Sequence, residues 1–240
     1  MASREEEKRL RREEREKAQA AAASSQNRAK RLQFLLGALL TIAVVVGVVL
    51  LVTGGDDKNG TGDAKTPTTA STGDQAIPAA SERNLDKAAA AADCVLVNPP
   101  IEGSTHVEDK VTYKSNPPTS GNHNPTPALD GIYETGQEPE PENWVHSLEH
   151  GRIDFMYKKG SPTKLIGQME TLASEPLNGK DGYKALLFQN NTDMPFAVAA
   201  SAWGHYIGCK KTSDAMWDAL RDFRTKYVDQ GPEPGIPPTN

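Results

Sequence analysis

One uncharged stretch, Leu32 to Val52 (LQFLLGALLTIAVVVGVVLLV), separates a short polar leader from a long mixed remainder. At about 1.5 Å rise per residue, its 21 residues cover a hydrocarbon core of about 30 Å, so it predicts a transmembrane helix. The apolar run is longer than that of a cleavable signal peptide, and Leu-Val-Thr-Gly-Gly at its end offers no Ala-x-Ala site. Arg28, Lys30 and Arg31 crowd the near flank, whereas Asp56 and Asp57 follow on the far side. The positive-inside rule then predicts a single-pass anchor at the cell membrane, with residues 1–31 cytoplasmic and the rest extracytoplasmic.

Beyond the span, residues 53–83 are rich in Gly, Thr, Asp, Ala and Pro without packable periodicity, and read as a disordered linker. Regular patterning then starts. Asn84 to Asp93 is an Ala-rich helix, and Val95 to Tyr113 is irregular with short strand-like pieces. Pro141 suits a first helical turn and Gly151 the residue after a helix end, which places a short helix between them. Ile153, Phe155 and Tyr157 alternate with Arg152, Asp154 and Met156, the pattern of a half-buried strand. A helix from Ser161-Pro162 to Ser174 turns Leu165, Ile166, Met169 and Leu172 inward. Strands follow at Tyr183–Gln189 and Phe196–Trp203, and the last helix, from Thr212, carries Met216, Leu220, Phe223 and Tyr227 on one face. The order β-α-β-β-α predicts an α+β domain over residues 84–230, a mixed sheet flanked by helices. Residues 231–240 (GPEPGIPPTN) read as a Pro-rich extended tail.

Charge sharpens the division. Residues 1–31 hold ten Lys/Arg and six Glu, a net of +4, whereas the remainder holds 17 Lys/Arg and 26 Asp/Glu, a net of −9. An acidic main domain argues against nucleic-acid binding. The chain has only two cysteines, Cys94 and Cys209, both beyond the span and in no C-x-x-C arrangement. In an exported domain two such cysteines are expected to form a disulfide, here joining the domain's start to the loop before its last helix.

Candidate chemistry concentrates between Tyr113 and Gly151, which holds His123, His146 and His150. His146 and His150 are four apart on the short helix and so share a face, with Glu149 beside them. His123 closes a Pro-rich loop, Asn116–Asn122. Three imidazoles with an open position suit zinc or copper, and Glu149 adds a carboxylate ligand or orients one. His106 and His205 are substitutes within reach of the same reasoning.

The motifs SNPPTSGNH and VHSLEHG, then Ala202-Trp203-Gly204, a Cys and a late Pro-Glu-Pro, resemble a bacterial membrane-anchored family, domain of unknown function 3105. The resemblance covers about residues 92–234 and implies one anchored extracytoplasmic domain without an assigned activity. Three functional readings follow from the residues. The first is a transition-metal site at His123, His146, His150 and Glu149. The second is a non-catalytic envelope module that binds a protein partner. The third takes His-Ser-Leu-Glu-His as an H-x-x-E-H zinc metallopeptidase motif, with Glu149 as general base and Glu170 as the nearest second-helix carboxylate.

Overall fold

Helix α1, Leu85–Ala91, starts where Asn84 accepts a hydrogen bond from the Lys87 N–H at 3.0 Å, an N-cap that satisfies one of the helix's orphan donors. The computed structural model describes residues 66–67 and 75–239. The expected leader 1–31, the span 32–52 and most of the linker 53–83 therefore lie outside the described residues. Among the described residues no helix is long and apolar enough to cross a membrane.

After α1 come β1 (Cys94–Val97), β2 (Gly131–Ile132), α2 (Pro141–Glu149), β3 (Ile153–Tyr157) and α3 (Thr163–Ser174). Then follow β4 (Ala185–Gln189), β5 (Val198–Ala202), β6 (His205–Cys209) and α4 (Ala215–Tyr227). The strands form one six-stranded sheet in the order β1-β6-β5-β3-β4-β2. β3, β4 and β2 run parallel to one another, and β5, β6 and β1 pair antiparallel. This is a mixed sheet with four described helices, an α+β domain. The chain divides into Met1–Thr61 and Gly62–Asn240. All of these elements lie in the second unit, which holds its own sheet and cores.

Those cores lie on opposite faces of the sheet. Ile153, Phe155 and Tyr157 pack with α1, α3 and α4 residues such as Leu85, Met169 and Phe223. Met156, Leu186, Phe188 and Ala199 pack against Trp144, Val145 and Leu148 of α2. Both faces of β3 are therefore covered, and all five of its residues are buried. The sequence pattern predicts a half-buried strand; α2 and the loops beside it account for the difference, because they close the polar-looking side as well.

That closure leaves Asp154 fully buried, with neither carboxylate oxygen hydrogen-bonded. Its register neighbour on β5 is Ser201, whose hydroxyl is also buried and unbonded. Burial raises the Asp154 pKa well above the ordinary carboxylate value, with Asp130 adding repulsion and Arg152 opposing both. A folded-state pKa above the unfolded one means the native state holds the proton longer. Stability from this group is present at acid pH and falls as pH rises above about 3.9. Asp154→Asn, a neutral isostere, is expected to unfold at higher denaturant than wild type at pH 7, with the gap closing toward pH 4. Equal stability at both pH values would refute this reading.

Cys94 and Cys209 form a disulfide, with Cα atoms 4.2 Å apart. They are register partners on adjacent strands. Cys209 thus ends β6, a strand that replaces the loop expected before the last helix. Residues 231–239, read from sequence as an extended tail, lie against the domain. The Glu233 N–H donates to the Glu149 carbonyl at 2.9 Å, and Lys184 Nζ donates to the Pro234 carbonyl at 2.8 Å. Arg152 donates through Nη2 to the Pro237 carbonyl at 2.5 Å and through Nε to Asp130 at 2.9 Å. Arg152 and Lys184 are each 2 % exposed, so the tail supplies partners that two buried cations need.

Candidate metal centre

The site is assembled from one helix and two loops. Helix α2 opens on Pro141 and stops at Glu149. Gly151 follows at φ +75°, the left-handed conformation expected just beyond a helix end. Trp144, Val145 and Leu148 press α2 onto the sheet, which leaves His146 and Glu149 facing the loops.

The Pro-rich loop is fixed by polar contacts rather than by periodic burial. Glu102 accepts from the Lys114 and Ser115 N–H groups at 2.8 and 3.0 Å, and Tyr113 donates to the Asn122 carbonyl at 2.9 Å. Gly121 sits at φ +132°, and a Cβ there would meet the Tyr113 ring at 2.8 Å, so only glycine fits. The loop then pairs with its upstream neighbour. His123 N donates to the Thr105 carbonyl at 3.1 Å and Val107 N to the His123 carbonyl at 2.8 Å, a parallel bridge between His106 and His123.

His106, His123, His146 and Glu149 each offer one donor atom such that all four atoms lie within 4.8 Å of one another. His123 Nε2 is 3.1 Å from Glu149 Oε2, and His106 Nε2 is 3.8 Å from the same oxygen. Two ligands bound at 2.0–2.1 Å in tetrahedral geometry stand about 3.3 Å apart, so these separations match a shared ion. The ring centroids of His106, His123 and His146 are 4.7–5.0 Å apart in every pair. His123 is fully buried, His146 and Glu149 nearly so, and His106 is half exposed, which leaves its side open to solvent.

The second nitrogen of two of these rings is committed. His123 Nδ1 lies 2.8 Å from the Gly121 carbonyl, and His146 Nδ1 lies 2.6 Å from the Asn124 carbonyl. A carbonyl only accepts, so each Nδ1 carries a proton, and Nε2 is the nitrogen left free to ligate. This is how metal-binding histidines are oriented by an outer shell of acceptors. Burial lowers the His146 pKa to about 4; the Asn124 carbonyl opposes this, and the neighbouring histidines reinforce it. His146 is therefore in its ligating, neutral form at neutral pH.

Of the residues singled out from sequence, His123, His146 and Glu149 converge. His150 stands apart from the group. Its ring lies 4.6 Å from that of His146, as the four-residue spacing requires, but Nδ1 faces Glu233 of the tail at 3.7 Å. The physical reason is that α2 ends at Glu149, so His150 is the cap residue and turns toward the returning chain. Burial, and then Arg152, lowers the His150 pKa. His106 takes its place, brought in by a loop pairing that leaves no periodic trace in the sequence. His205 is elsewhere, stacked on Tyr227 with Nδ1 2.6 Å from Asn98.

The same arrangement bears on the H-x-x-E-H reading. That motif needs His146 and His150 as ligands with Glu149 standing off as base. Here Glu149 lies among the donors and His150 does not. Glu170 is on α3, which packs on the opposite face of the sheet from α2.

The fold and the cluster together define an α+β domain with a histidine–carboxylate group, buried except at His106, that could hold a metal ion. The family described as Protein of unknown function (DUF3105) matches residues 106–240, more than half of the chain, and the chain belongs to it. The match begins at His106 and takes in the whole cluster. No curated protein and no solved structure matches the chain.

Proposed function

We propose that this protein is a membrane-anchored, extracytoplasmic metal-binding protein, holding zinc or copper through His106, His123, His146 and Glu149. One observation carries the reading. His106, His123, His146 and Glu149 bring one donor atom each within 4.8 Å of one another, with His123 Nε2 3.1 Å from Glu149 Oε2. A cation shared by these atoms would take ring nitrogens and a carboxylate oxygen as ligands at that spacing. Three imidazoles and one carboxylate, borderline and hard donors, suit zinc or copper(II). The expected span at residues 32–52 with its basic near flank, and the Cys94–Cys209 bond, support an extracytoplasmic setting for this centre.

The test compares two histidines that the sequence ranks in the other order, His150 as a ligand and His106 as a substitute. In competition with a chromophoric chelator, His106→Ala of the 62–240 domain should bind zinc at least about tenfold more weakly than wild type. His150→Ala should stay close to wild type. The opposite ranking, or no zinc and no copper binding by wild type, would sink the proposal.

A further inference from the structure

At the opposite end of β3 from the histidine cluster lies a groove of about 450 Å³, formed where the strand ends and α3 begins. Lys158, Lys159 and Lys211 line it, together with the Ser161 and Thr212 hydroxyls; Pro162, Leu165 and Ala197 supply its apolar surface. No acidic residue lines it. Lys158, Lys159 and Lys211 have no carboxylate partner among the described residues, whereas Lys110, Lys184, Arg152 and Arg221 are all ion-paired. This positive groove belongs to a segment that is net −9 beyond residue 31, so the local charge runs against the composition. Helix α3 starts at the rim without a side-chain cap and without an acid in its first turn, which adds the positive end of a twelve-residue helix to the same field.

We propose that this groove docks the phosphate of an anionic lipid headgroup, so that the domain rests on the membrane that anchors it. Three lysines and two hydroxyls match a phosphodiester. The apolar residues between them give the glycerol and first methylenes a surface that a free anion would not use. Reach favours this occupant: only thirteen residues, 53–65, separate the expected span from Thr66, the first described residue. So few residues of linkage keep the domain close to that surface, so even a weak affinity for headgroups acts at high effective concentration. The histidine cluster plays no part, so this inference stands or falls apart from the metal reading.

The test uses the 62–240 domain, which lacks the anchor, and sedimentation with vesicles. It should bind vesicles of phosphatidylcholine mixed with phosphatidylglycerol and leave phosphatidylcholine vesicles in solution, with binding lost as salt is raised. Each lysine near an anionic surface contributes roughly fivefold, so the Lys158→Ala, Lys159→Ala, Lys211→Ala triple variant should bind about a hundredfold more weakly. A control with the same charge change at exposed Lys87, Lys114 and Lys226 should keep most of the binding. Equal loss in both triple variants would overturn the groove as the site. Equal binding to both vesicle types would overturn it as well. So would calorimetric binding of inorganic phosphate without vesicle binding, which would assign the groove to a free anion.

Discussion

His146→Ala is expected to weaken zinc binding at least about a hundredfold while the domain stays folded. Loss of an outer-shell partner alone typically costs 10–100-fold, and in the proposed centre His146 would be a direct ligand. Its ring is held by the Asn124 carbonyl on one side and lies 4.7 Å from the rings of His106 and His123 on the other. It belongs to neither apolar core, so its removal takes little packing with it. Leu148→Ala is the converse. Leu148 is fully buried between α2 and the sheet, and truncation there should cost about 2–5 kcal/mol of stability. The fraction that remains folded should still bind zinc. Chelator competition and denaturant unfolding on both variants read the two effects separately. A His146→Ala variant that binds zinc like wild type would remove the cluster's role.

The second large effect is on stability. Reducing Cys94–Cys209, or replacing both by serine, should cost up to about 4–5 kcal/mol in the chain-entropy account, because the bond closes a loop with a sequence separation of 115. The bond also pins β1, an edge strand whose one strand neighbour is β6, so reduction should loosen β1 and α1 first. Equilibrium unfolding with and without reductant measures the loss, and amide exchange in α1 locates it. Free thiols in the oxidised, denatured domain would contradict the bond itself.

The sequence was most legible where burial is periodic. Helix α3 ends at Ser174 as its apolar spacing predicts, and α2 lies between Pro141 and the left-handed Gly151. β6 was hidden because His-Tyr-Ile-Gly-Cys shows no clean alternation. Gly208 within it is small because Phe196 packs on it: a Cβ there would lie 2.6 Å from that ring. β2 is two residues long and joins the sheet through register with Leu186 and Leu187, a tertiary fact without a local signal. At the site, helical spacing brought His146 and Glu149 forward and His150 with them. It could not show that α2 stops one residue short of His150, nor that a loop bridge sets His106 beside His123. Arg152 and Lys184 needed the tail to explain them, since a buried cation in a strand pattern points to a partner without saying where it comes from.

Metal content tests the central claim most directly. The 62–240 domain, free of any histidine tag, is loaded with zinc, dialysed against metal-free buffer and analysed by elemental mass spectrometry. The account predicts about one zinc per chain, and close to none in a variant carrying His106→Ala, His123→Ala and His146→Ala together. Wild-type domain that retains no zinc and no copper, or a triple variant that retains as much as wild type, would contradict it.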